Sequence, residues 1–271
     1  MTSAFIQQTL HTIGLRPQQA AGQNFLLDEQ ITEAMADAAV VEEGDTVLEI
    51  GPGLGILTET LLARGARVVA VELDQRLYAY LKKRFRGNER LILLNSDIFA
   101  VQLSKYLRDG QYKLVANVPY SSTSLIFRNF LTLAPRPTSI TVMIQRDVAR
   151  RICAQPGDMS MLSLTVQRYC QPEILFDVPQ KSFFPAPAVM SSVVYCGNME
   201  KIDEIGDKLL FRVMKAGFSS RRKKLSNSLT AVLHMNDAAL LPILAKVGIK
   251  ETARAQELSL ADWQRLAREI S

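Results

Sequence analysis

Thr46-Val47-Leu48-Glu49-Ile50-Gly51-Pro52-Gly53-Leu54-Gly55 is the stretch of this 271-residue chain that decides its fold. A short β-rich run passes directly into glycines at alternate positions. Such a junction reads as a strand ending in a tight turn whose backbone a ligand can approach, because no Cβ intervenes. Downstream, Arg67 to Val71, Leu91 to Leu94, Tyr112 to Ala116 and Ile140 to Ile144 read as further strands. Between and before them, Ile31 to Val40 (with Asp28 as N-cap), Leu57 to Ala63 and Gln75 to Phe85 carry helical spacing. This alternation predicts a mostly parallel sheet with helices on both faces. Ligands of such sheets bind beyond the carboxyl ends of the strands, near the point where the strand order reverses. Gly51 to Gly55, Glu72, Asp97 and Asn117 each follow a predicted strand, so the polar residues gather at that end.

The bulk composition bounds the alternatives. At 48% hydrophobic the chain can bury a sizeable core, yet no apolar run reaches the roughly 20 residues of a membrane span. Met1 to Gln19 lacks a basic start followed by an apolar block, so no secretion signal is read and a cytoplasmic protein is expected; a monomer is expected as well. Cys153, Cys170 and Cys196 are odd in number and far apart, and His11 and His234 are the only histidines. Neither a disulfide framework nor a metal site is expected. Charge is uneven: residues 200–271 hold 13 Lys/Arg against 9 Asp/Glu, most of the net +5. Arg221-Arg222-Lys223-Lys224 is the densest point. It suits phosphate neutralisation or a solvated helix face, and charge alone does not separate the two. A proline-rich piece, Phe183 to Pro187, precedes a strand-like Ser192 to Tyr195, and after Gly197 the pattern is helical to the end. The predicted domains are therefore 1–198 and 199–271.

The first strand–turn unit selects a class of cofactor. The dinucleotide fingerprint places its third glycine one position later, where this chain has Ile56. Pro52 also removes one N–H that a pyrophosphate would need. Glu72 suits the two hydroxyls of a ribose, Asp97 suits an adenine amine, and Leu73 and Ile98 suit the faces of that base. S-adenosylmethionine, with a ribose, an adenine and no phosphate, fits this set.

Asn117-Val118-Pro119-Tyr120 suits the acceptor. An exocyclic adenine amine is a poor nucleophile because its lone pair is delocalised into the ring. Two acceptors aimed at its hydrogens localise that pair, so transfer depends on alignment more than on a strong base. The Asn117 side-chain oxygen is one such acceptor. The carbonyl of Val118, held by the rigid Pro119, is the expected second. Tyr120 is expected to stack on one face of the base and Phe183 or Phe184 on the other. A base inside folded nucleic acid must be flipped out to enter such a slot. Together these residues predict a class I S-adenosylmethionine-dependent methyltransferase, Rossmann-like, acting on adenine, with a small C-terminal all-α domain.

The chain resembles the KsgA-type small-subunit ribosomal RNA adenine dimethyltransferases. The matching stretches are Gly22-Gln23-Asn24-Phe25-Leu26, Glu49 to Gly53, Val71-Glu72-Leu73-Asp74, Asp97 and Asn117 to Tyr120. Phe183-Phe184-Pro185, Ser191 to Val194, Gly217-Phe218, Arg221-Arg222-Lys223, Leu225 and Asn227-Ser228-Leu229 continue the likeness over nearly the whole length. The resemblance implies two methylations on each of two adjacent adenines near the 3′ end of small-subunit rRNA, within an immature 30S subunit. It implies that Asn24 and Leu26 help enclose the donor beside Gly51, Gly53, Glu72, Asp97 and Asn117, and that the C-terminal helices dock RNA. Gln18 to Ala21 stand where the family usually carries basic residues, and Ala188-Val189-Met190-Ser191 stands in place of Lys-Val-Asp-Ser. Two neighbouring functions share parts of the pattern: a resistance-type methylase of large-subunit rRNA, and an assembly factor that no longer transfers methyl.

Overall fold

The computed structural model describes residues 2–16, 23–133, 135–201, 204–220 and 222–270; Gln18 to Gly22 and Arg221, on which parts of the sequence reading fall, lie outside them. In chain order the first elements are α1 (Ser3–Thr12), β1 (Phe25–Leu26), α2 (Glu29–Ala38), β2 (Thr46–Ile50), α3 (Ile56–Ala63), β3 (Arg67–Glu72), α4 (Gln75–Arg84) and β4 (Leu91–Asn95). There follow β5 (Lys113–Asn117), α5 (Thr123–Thr132), β6 (Ser139–Gln145), α6 (Arg146–Ile152), α7 (Met161–Gln167), β7 (Gln171–Val178), β8 (Phe183–Phe184) and β9 (Ser191–Gly197). The last are α8 (Glu204–Gly217), α9 (Leu225–Leu233), α10 (Asp237–Lys246) and α11 (Leu260–Ile270). They form two compact units, Met1–Ala149 with Gln171–Met199, and Arg150–Cys170 with Glu200–Ser271.

The first unit is built on a seven-stranded sheet of order β4-β3-β2-β5-β6-β9-β7. β4, β3, β2, β5 and β6 are parallel, while β9 runs antiparallel to both β6 and β7. Val47, Leu48, Val68, Val69, Leu114 and Val115 are fully buried, so successive residues of each strand are covered on both faces. That burial explains why these strands read as continuous apolar runs instead of alternating ones. Asp28 caps α2 by accepting from the Gln30 N–H, and Asp74 caps α4 by accepting from Arg76 and Leu77.

The switch point lies at β2. From it the chain winds outward through β3 and β4, then returns to β5 on the other side and proceeds to β6. β2 pairs with β3 as far as Ile50↔Val71, and β5 with β6 as far as Asn117↔Met143. β2 and β5 pair only at Val47↔Lys113 and Leu48↔Leu114. The central strands therefore part before their carboxyl ends, and the loops after them diverge.

A separate ribbon pairs β1 with β8, Phe25 opposite Phe184 and Leu26 opposite Phe183. Alternation across this ribbon sorts its side chains. Leu26 and Phe183 enter the main core with Met35, Leu57, Leu61 and Val193. Phe25 and Phe184 pack with Ile6, Leu10 and Leu77 beneath α1.

In the second unit α8 to α11 surround Trp263, which is fully buried among Leu210, Met214, Leu229 and Leu266. Gly217 is required here, because a Cβ would collide with the Trp263 ring and with Leu225. Residues 150–170 also belong to this unit, a correction to the predicted 1–198 domain. Met159 and Leu164 join its core, and Asp207 accepts from Arg168 Nε at 2.6 Å and from the Tyr169 hydroxyl at 3.0 Å. Those anchors lie far along the chain, where local pattern does not reach.

Candidate active site

The parting of β2 and β5 opens a cavity of about 840 Å³ in the first unit. Its floor is the glycine turn. Gly51 and Gly53 have φ of +65° and +59°, the left-handed region that glycine enters without strain. At Gly53 an added Cβ would come within 3.3 Å of the Phe25 ring. The turn is held from outside by Arg84, whose guanidinium donates to the Leu54 carbonyl and pairs with Glu59 at 2.6 Å.

Glu72 closes β3 facing this turn. It is only 6% exposed, and its two oxygens accept from the Gly53 N–H at 3.1 Å and the Asp74 N–H at 2.9 Å. Burial raises its carboxyl above the ordinary range, against the pull of those N–H groups. Glu49, on β2, also lines the cavity and is 2% exposed. The Thr58 hydroxyl donates to it at 2.6 Å. Burial, with a smaller contribution from the Glu72 charge, pushes its carboxyl up to about 8.

The end of β5 and the residues after it also line the cavity. Asn117 donates its side-chain N–H to the Asn24 carbonyl at 3.4 Å. Tyr120 begins a 3₁₀ turn, Tyr120–Ser122. Its hydroxyl lies 2.7 Å from Ser191 Oγ, and burial raises the phenol further above its ordinary range. Asp97 accepts the Phe99 N–H at 2.9 Å through one oxygen, which fixes the loop after β4.

Of the residues singled out in the sequence, Asn24, Leu26, Gly51, Gly53, Glu72, Leu73, Asp97, Ile98, Asn117, Val118, Pro119 and Tyr120 all line this one cavity. Leu73, 71% exposed, stands at its rim. Phe183 does not line it: the ribbon turns this side chain into the core, where it is 4% exposed. Sequence reasoning assigned no role to Glu49, although a lone carboxylate in an apolar strand is a signal of one. It also passed over Phe99, an exposed aromatic at the cavity. Arg222, Lys223 and Lys224 are exposed on the second unit.

The donor set fits a nucleoside without phosphates. A fixed, buried carboxylate faces a glycine turn, and each of its oxygens keeps a lone pair beyond the N–H it accepts. With the sheet order, this defines a Rossmann-like class I methyltransferase. Two solved structures share the fold: the 23S rRNA methyltransferase ErmE (TM-score 0.73, 24% identity, 91% of this chain and 99% of that one) and a dimethyladenosine transferase from Plasmodium falciparum (TM-score 0.76, 24% identity, 89% and 95%). The profile of the family described as ribosomal RNA adenine dimethylase matches residues 15–271. Proteins named ribosomal RNA small subunit methyltransferase A are 39% identical in Dehalococcoides mccartyi strain CBDB1 (95% of this chain, 89% of the relative) and 39% identical in Desulfitobacterium hafniense strain DCB-2 (93% and 91%). The chain belongs to the ribosomal RNA adenine dimethylase family, whose methyl donor is S-adenosylmethionine.

Proposed function

We propose that this protein dimethylates two adjacent adenines near the 3′ end of small-subunit rRNA in an immature 30S particle, in the cytoplasm. The observation that carries the reading is the single cavity shared by the fixed Glu72 carboxylate and the Asn117–Tyr120 segment. The names of the curated relatives support the small subunit as the target.

Glu72 would accept the ribose hydroxyls, and Asp97, through the oxygen not bonded to Phe99, the adenine amine of the donor. Leu73 and Ile98 would cover that base, with Asn24 and Leu26 closing the other side. S-adenosylmethionine held there supplies an electrophilic methyl group on a sulfonium, and one amine proton is lost to water for each methyl gained. Asn117 Oδ1 remains available as an acceptor because the N–H side of the carboxamide is engaged by Asn24. With the Val118 carbonyl it would orient the substrate amine, while Tyr120 stacks on the base. Arg222, Lys223 and Lys224, with Arg221, would neutralise rRNA phosphates.

Incubation with labelled donor and immature 30S particles tests the reading. Label in the 3′-terminal fragment of the small-subunit RNA, as dimethyladenine, is expected. Label confined to large-subunit RNA would overturn it.

A further inference from the structure

Tyr120 is held at both ends. The Thr123 hydroxyl donates to its backbone carbonyl at 3.2 Å, and its phenol meets Ser191 Oγ at 2.7 Å. Ser191 is fully buried at the start of β9, between Gln145 of β6 and Val178 of β7. Its neighbours are fixed as well. The Met190 carbonyl accepts from the Arg146 N–H at 3.0 Å, and the Ser192 hydroxyl donates to Asp177 at 2.5 Å. The phenol is therefore attached to a buried, paired position of the sheet, 71 residues away in the chain.

We propose that Ser191 is a positioning residue for methyl transfer: its hydroxyl anchors the far end of the Tyr120 ring on which the acceptor adenine stacks, and the second methylation depends on it more than the first. The inference rests on the adenine reading above. An unmodified amine offers two hydrogens to the two acceptors, Asn117 Oδ1 and the Val118 carbonyl. After one transfer the amine offers one hydrogen, so half of that hold is gone. Alignment of the base then falls more heavily on stacking, and stacking is only as well defined as the ring.

The experiment compares Ser191→Ala, Tyr120→Phe, the double variant and Ser191→Thr on immature 30S particles, with mono- and dimethyladenine quantified by mass spectrometry. Donor affinity and folded fraction are measured alongside. Ser191→Ala and Tyr120→Phe should each slow the second transfer by about tenfold, the scale of one neutral hydrogen bond, and the first by less. Monomethyladenine should accumulate, the double variant should be no worse than either single one, and Ser191→Thr should recover the wild-type product ratio. A merely structural Ser191 would lower both transfers equally through the folded fraction, and its effect would add to that of Tyr120→Phe. Either result overturns the proposal while leaving the adenine reading intact. A wild-type protein that binds the donor but methylates no adenine would overturn that reading, and the proposal with it.

Discussion

Asn117 and Asn24, 93 residues apart, are joined by a hydrogen bond in which the Asn117 carboxamide nitrogen donates to the Asn24 carbonyl at 3.4 Å. The bond fixes which end of the carboxamide is left to accept. Asn117→Ala removes that acceptor without disturbing Glu72 or the glycine turn. Single-turnover methyl transfer should fall by about 10²–10³, the scale of losing one aligned polar group in a reaction site. Donor affinity, followed by calorimetry, should change far less. Equal losses in both would show that Asn117 serves the donor alone.

Glu72 is tied to the donor side of the same cavity. Its two backbone N–H partners fix the carboxylate before any ligand arrives. Glu72→Ala removes a preorganised charged acceptor, and hydrogen bonds to charged groups contribute about 1.5–3 kcal/mol. Donor affinity should therefore weaken by about 10- to 100-fold. Unchanged affinity would remove Glu72 from the site.

Glu49 sets a pH dependence of stability. Its carboxyl stands at about 8 in the folded protein against 4.5 ordinarily, so the folded state holds a proton across that window that the unfolded chain releases. Stability falls as pH rises from 4.5 towards 8 and then levels. Glu49→Gln keeps an acceptor for Thr58 and removes the titration. The variant should match wild type near pH 4.5 and become more stable as pH rises, by up to about 1.4 kcal/mol per pH unit inside the window. Denaturant unfolding at acid and alkaline pH measures the difference. A constant difference would mean that the carboxyl ionises normally.

Gly217 tests the second unit. A Cβ there meets Trp263 and, at 2.9 Å, Leu225, both buried in the core of this unit. Gly217→Ala should destabilise the protein by about 1–3 kcal/mol through overpacking. Calorimetric unfolding reads this directly, and a variant as stable as wild type would show that the helices can separate at no cost.

How much of this was legible in the sequence follows from how local each cause is. β2 to β6 are apolar runs that end at a glycine or a polar residue, and their predicted bounds agree with the structure to within one residue at either end. β7 escaped because Pro172, Glu173 and Asp177 break an apolar reading. As an edge strand it alternates between exposed and half-buried positions over most of its length and tolerates a proline. β1 and β8 are two residues each, too short for any period to show. For that reason the sequence does not show which face Phe183 takes, and an aromatic beside prolines carries no sign of its side of a ribbon. Gly51, Gly53, Glu72, Asp97 and Asn117 stood out because they fall at or just after the ends of predicted strands, whereas Asn24 and Leu26 came only from the family resemblance. The tethers, Asn24 for Asn117 and Ser191 for Tyr120, join segments that only the folded sheet brings together.

Arg222, Lys223 and Lys224 precede α9 and are exposed, so their charge is available without desolvation. If they neutralise phosphates, replacing all three with alanine weakens rRNA binding at low salt. It also lowers the slope of log affinity against log salt by about 0.7–0.9 for each phosphate no longer neutralised. Exposure predicts that thermal stability stays near wild type, which separates weaker electrostatic attraction from unfolding. Binding isotherms over a series of salt concentrations give the slope. A slope equal to that of wild type would assign phosphate neutralisation to other residues, whatever happened to the affinity at any one salt concentration.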